Sequence, residues 1–121
     1  MIYDLEDRTR KLSKTTIELL RTVRIDEINR NIINQLIRAI TSVDANYCEA
    51  NAGSSRKDFR NKIYICRKEV QETKYWIEML AATNPGIKEQ LRILWREAQE
   101  LTLIFNKISS TLNRKDGDIE N

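Results

Sequence analysis

Only one Pro and three Gly punctuate 121 residues, and His is absent, so long helices are favoured and imidazole chemistry is excluded. Apolar residues make up 40% and charged residues 32%, enough for one domain with its own core. The net charge of +3 is small but uneven: residues 53–83 hold seven Lys/Arg against four Asp/Glu, while 26–52 hold two against four.

The first predicted helix carries Leu5, Thr9, Leu12, Thr16, Leu19 and Val23, with Ile17 and Leu20 widening the stripe. The second carries Ile33, Leu36, Ile40, Val43, Tyr47 and Ala50. Asp26 is its expected N-cap and Gly53 its expected stop. The third carries Phe59, Ile63, Cys66, Val70, Thr73, Ile77 and Leu80 in alternating steps of four and three. Ser55 and Asp58 match a capping box at its start. The fourth repeats that alternation from Ile87 through Leu91, Leu94, Ala98, Leu101, Phe105 and Ile108 to Leu112. Asn84 is its expected N-cap and Pro85 its first residue.

Four amphipathic helices joined by short turns predict an all-α, antiparallel up-down-up-down four-helix bundle as a single domain over residues 1–112. Residues 113–121 lose the apolar pattern and read as a frayed, disordered polar tail. No stretch approaches the roughly 18 apolar residues of a membrane span, and no charged-then-apolar leader opens the chain, which points to the cytoplasm. A hairpin turn at 53–55 puts Cys48 level with Phe59, about 10 Å along the axis from Cys66. That exceeds disulfide reach, so both thiols are expected to be reduced.

Arg56, Lys57, Arg60, Arg67 and Lys74 concentrate the positive surplus on helix three, on one face with Tyr64 and Gln71. A basic stripe containing an aromatic can track phosphates and stack a base. The bland alternative is a solvated bundle face. Glu69 and Glu72 form E-x-x-E, a spacing used in di-iron bundles, but the missing His leaves that chemistry without its usual ligand. Salt bridges within the bundle explain the pair more simply: Glu72 with Lys68, and Glu69 with Arg38 or Arg30. Ile93, Trp95, Leu103 and Ile104 fall outside the seam of helix four, and surplus apolar surface on a small bundle points to self-association. No phosphate loop, catalytic triad or zinc-ligand set appears, so no enzyme activity, metal or cofactor is expected.

The stretches "YDLEDRT" at 3–9, "QLIRAITSVDANYCEA" at 35–50 and "SRKDFRNKIYICRKEVQETKYWIEML" at 55–80 resemble the four-helix bundle proteins encoded in intervening sequences of bacterial 23S rRNA genes. The family pattern falls on Asn46, Tyr47, Glu49, Ser55, Arg56, Asp58, Phe59, Lys62, Lys68, Glu69, Glu72, Thr73, Tyr75 and Trp76, with no catalytic role attached to any of them. Cys66 and Arg67 stand where a more apolar pair is expected. The resemblance implies a homopentamer. It also implies kinship with the accessory variability determinant of diversity-generating retroelements, a nucleic-acid-binding bundle that partners a reverse transcriptase. The expected function is therefore a non-enzymatic, homo-oligomeric bundle that binds RNA or DNA. The alternative is a protein–protein adaptor, and a carboxylate enzyme ranks last.

Overall fold

The structure, a computed structural model, describes residues 4–53 and 55–120, with 115–120 described by their backbone. It contains α1 (Leu5–Leu20), α2 (Arg30–Ala52), α3 (Arg56–Thr83), a 3-10 turn (Pro85–Ile87) and α4 (Lys88–Glu120). Each helix packs on the next in the chain, and α1 closes against α4.

Side-chain bonds set the directions of the helices. Thr9 donates to Asp44 and Ser13 to the Ile40 carbonyl, so residue numbers fall along α2 as they rise along α1. The same reversal joins α2 to α3, where Lys62 reaches Glu49 and Arg38 reaches Glu69. It recurs from α3 to α4, where Arg67 donates to Asn106 and Lys74 to Gln99. The bundle runs up, down, up, down, and the bidentate Arg8–Glu97 pair ties α1 to α4 at 2.7 and 3.0 Å.

The interior follows the apolar seams. Leu36, Ile40, Ile63, Val70, Leu80, Leu91, Leu101 and Phe105 are fully buried, and Tyr47 lies 5.9 Å from the Phe105 ring. Seam residues near the ends, Phe59, Ile87 and Ile108, are only partly buried, since a bundle's end layers have one neighbour fewer. Of the four apolar residues outside the α4 seam, Trp95 and Ile104 pack against the core. Ile93 and Leu103 stand in solvent, 66% and 58% exposed.

The corners depart from simple expectation in three places. Asp26 does cap, one turn ahead of α2: its carboxylate accepts from the Ile28 and Asn29 amides, and the Asn29 side chain accepts back from the Asp26 amide. Asn29 is fully buried and also donates to the Arg24 carbonyl and to Asn84 Oδ1, which ties the α1–α2 loop to the α3–α4 corner. Asn84 therefore spends its side chain on Asn29 and Thr83, makes no side-chain cap, and α4 begins through the 3-10 turn.

Gly53 stops α2 with φ −66° and ψ 152°, not in the left-handed region. A Cβ there would lie 3.2 Å from the Ala50 carbonyl oxygen and 3.4 Å from that of Glu49, so close approach is what favours glycine. Ser55 caps α3 as expected, its Oγ accepting from the Asp58 amide at 3.0 Å. The α4 backbone remains helical through Glu120, beyond the last seam residue Leu112, where the sequence suggests a frayed tail. Extending an existing helix costs far less than nucleating one, and no Pro interrupts this segment. Asn121 lies outside the described residues.

Candidate nucleic-acid interface

Helix α3 has three outward aspects, because its buried seam occupies the fourth. On the α2 side, Arg38 bridges Glu69 at 3.1 Å and Glu72 at a shorter contact, and Lys62 meets Glu49 at 2.5 Å. Glu72 thus takes its cation from across the groove, where the sequence suggested Lys68 within the helix. Glu69 is almost buried, so Arg38 compensates a carboxylate removed from water. On this side Glu49, Glu69 and Glu72 are each answered by a cation.

The α4 side is different. At about 100° per residue, Arg56, Arg60, Arg67 and Lys74 share this flank. Arg67 donates from Nε to Asn106 Oδ1 at 2.9 Å and from Nη1 to Ser109 Oγ at 3.1 Å. Lys74 donates to Gln99 Oε1 at 2.8 Å and lies 5.5 Å over the Trp95 ring. These acceptors are amides, a hydroxyl and a π face. They position Arg67 and Lys74 without cancelling their charge.

The outer ridge of α3 lies opposite its seam. Lys57, Tyr64, Lys68, Gln71 and Tyr75 follow one another along it in helical register, all exposed. Tyr64 is 65% and Tyr75 52% exposed, and Tyr75 packs edge-on against Trp76 with centroids 4.8 Å apart.

Of the five residues singled out in the sequence, Arg56 and Lys57 are exposed and Arg60 is half-buried at the N-terminal end of α3. Arg67 and Lys74 are half-buried and lean on α4. The five therefore divide between a flank and a ridge, and Lys57 stands with the ridge. Sequence reasoning missed Lys68 and Tyr75 as ridge members, and Asn106, Ser109 and Gln99 as the residues that position the cations. Lys68 and Tyr75 had a signal, since both lie opposite the Cys66–Val70–Thr73 seam. The α4 partners had none, because the rotation of α4 against α3 is a tertiary property.

Among the described residues, three of the clefts lie along α3. One of about 210 Å³ is lined by Tyr64, Arg67, Lys68, Gln71 and Asn106. One of about 440 Å³ lies toward α2 among Gln35, Arg38, Gln71, Glu72, Tyr75 and Trp76. The third, about 190 Å³, is mainly apolar and lies near Ile77, Leu91 and Trp95.

Neither thiol is activated. Cys66 is buried and donates to the Val43 carbonyl, and burial pushes its pKa up to about 12. Desolvation, helped by nearby Asp44, also raises Cys48 despite a hydrogen bond from Arg10. Both cysteines are free. Among the described residues no cluster of three Cys, Asp or Glu side chains is placed to hold a metal ion. No described helix is long and apolar enough to cross a membrane.

The class defined by this architecture is a small antiparallel helical bundle with one charge-compensated flank and one basic flank on the same helix. The chain belongs to the family described as 23S rRNA-intervening sequence protein, whose pattern matches residues 3–107. A crystal structure of a protein of unknown function from the S23 ribosomal protein family of Bacteroides thetaiotaomicron is 29% identical. Its match covers 86% of this chain and 96% of that one, with a TM-score of 0.74. No curated protein matches the chain.

Proposed function

We propose that this protein is a non-enzymatic, homo-oligomeric bundle that binds RNA or DNA through the basic surface of α3. One observation carries the reading: Arg67 and Lys74 on the α4 flank are held by neutral partners, beside a ridge of exposed lysines and tyrosines. Cations positioned in this way keep their field and meet phosphates without first breaking an ion pair. Arg56, Lys57 and Arg60 extend the surface to the N-terminal end of the helix.

Exposed Ile93 and Leu103 on α4 support self-association through that face. In a pentamer, +3 per chain becomes about +15, and weak contacts repeated by symmetry reinforce one another. Light scattering at micromolar concentration is expected to show the assembly; a monodisperse monomer contradicts it.

Binding is tested by fluorescence anisotropy with mixed-sequence RNA and DNA across a salt series. Affinity is expected to fall steeply with salt. Lys57→Gln and Lys68→Gln should each flatten the logarithmic slope by roughly 0.7 for single strands or 0.9 for duplex DNA. Both side chains are exposed, so stability should change little. Absence of binding even at low ionic strength, or a slope these substitutions leave untouched, rejects the reading. An adaptor role then leads, favoured by Ile28, 73% exposed beside half-exposed Ile25 in the α1–α2 loop. Its test is capture of a partner protein from nuclease-treated lysate.

A further inference from the structure

The nucleic-acid reading leaves open what form of strand the surface takes. The clefts described along α3 differ in the chemistry of their walls. The α2-side cleft includes the Glu72 carboxylate, and the apolar cleft includes Glu78, which accepts from the Trp95 indole. A carboxylate on the wall opposes an approaching phosphate. The notch formed by Tyr64, Arg67, Lys68, Gln71 and Asn106 has no acidic residue in its lining. It combines one aromatic ring, two cations and two side-chain amides.

Each component has a role in binding a nucleotide. The Tyr64 ring is 65% exposed, a large apolar face held in water that a base can cover. Arg67 is fixed before any ligand arrives, because Asn106 and Ser109 accept from its Nε and Nη1. Those two bonds use two of the five N–H donors that a guanidinium carries. Lys68 is the next residue along the helix and is exposed, a solvent-facing cation beside a fixed one. Gln71 offers an amide donor and acceptor, and Asn106, whose Oδ1 serves Arg67, keeps its amide N–H₂ as a donor. About 210 Å³ is below the 300–1,000 Å³ of a typical small-molecule pocket, and so suits one planar ring system better than a whole ligand.

We propose that this notch seats one unpaired base of a single-stranded polynucleotide, stacked on Tyr64, with Arg67 and Lys68 on its flanking phosphates; this rests on the nucleic-acid reading above. The preference for a single strand follows from stacking. A paired base has both faces covered by its neighbours, whereas an unpaired one offers a face to an aromatic side chain. The amides of Gln71 and Asn106 meet the edge of the base, and a single notch of this kind tolerates any base.

The test measures anisotropy of labelled oligouridylate, oligothymidylate and a mixed-sequence duplex of equal length at one fixed salt concentration, with the full chain. The two single strands separate an RNA source from a DNA source, since only the first carries 2′-hydroxyls. The wild type is expected to bind at least one single strand more tightly than the duplex. Tyr64→Ala should weaken that strand about tenfold and leave the duplex within about twofold, whereas Tyr64→Phe should stay near wild type. Tyr64 is exposed, so the variants should fold, and their melting curves check this. If Tyr64→Ala weakens strand and duplex alike, or neither, the notch proposal is overturned while the basic-surface reading stands. If the wild type binds none of the three probes, both fall together.

Discussion

Arg67 is held by two bonds to α4 and also counted among the phosphate-facing cations, and two substitutions separate these roles. Arg67→Lys keeps the charge but loses the planar fork that reaches Asn106 and Ser109 together, at 2.9 and 3.1 Å. Hydrogen bonds to a charged group contribute about 1.5–3 kcal/mol each when well buried. Here Arg67 is only half-buried, so solvent screening brings each nearer 1 kcal/mol. Releasing a long side chain returns up to about 2 kcal/mol of rotamer entropy, and part of that offsets the loss. Ser109 is buried and has less access to replacement water. The net expectation is a loss of about 1 kcal/mol for Arg67→Lys and about 1–2 kcal/mol for Arg67→Gln. Urea titration at fixed protein concentration reads this as a lower midpoint with an unchanged slope. The binding assay should order the variants differently. Arg67→Lys keeps the salt slope for a single strand, and Arg67→Gln lowers it by about 0.7. Wild-type stability in Arg67→Lys would refute the structural role, and a wild-type salt slope in Arg67→Gln would refute the phosphate contact.

Asn29→Ala removes three part-buried side-chain hydrogen bonds, two within the α1–α2 loop and one that ties this loop to the α3–α4 corner. Because Arg24 and Asp26 lie at the surface and can rehydrate, a loss of about 2 kcal/mol in the same titration is expected; a neutral variant contradicts the tie. Ser55→Ala removes the bond from the Asp58 amide and should cost about 1 kcal/mol, with helix content by circular dichroism nearly unchanged. For the thiols, native protein should label at Cys48 and not at buried Cys66, and both should label after denaturation without reductant. Since the folded pKa of Cys66 is raised to about 12, its contribution to stability is complete below its unfolded pKa of about 8.5. That contribution falls by about 1.4 kcal/mol per pH unit as pH rises through the window up to about 12. Cys66→Val should lack this share of the alkaline loss, and equal pH profiles for the two proteins would argue against it.

The seams of α3 and α4 were legible because burial repeats at the helical period. A residue such as Val70 or Leu101 has an apolar partner on every side whichever helices surround it, so periodicity alone identifies it as core. The cap made by Ser55 was equally legible, because both partners lie in one local stretch. The concentration of positive charge on α3 was likewise a property of the chain itself.

What the chain order alone left undecided is how the helices are rotated against one another. The sequence places Arg67 and Lys74 on one flank of α3, but only the packing of α4 supplies Asn106, Ser109 and Gln99 as neutral acceptors there and assembles the notch beside Tyr64. Asn84 illustrates the same limit. Its position before Pro85 suits a cap, yet buried Asn29, 55 residues earlier in the chain, takes its side chain instead. Helical period and local capping arise from contacts within a few residues, and the sequence carries them openly. The pairing of distant polar groups depends on which faces meet when the apolar seams close, and that is settled only in the folded bundle.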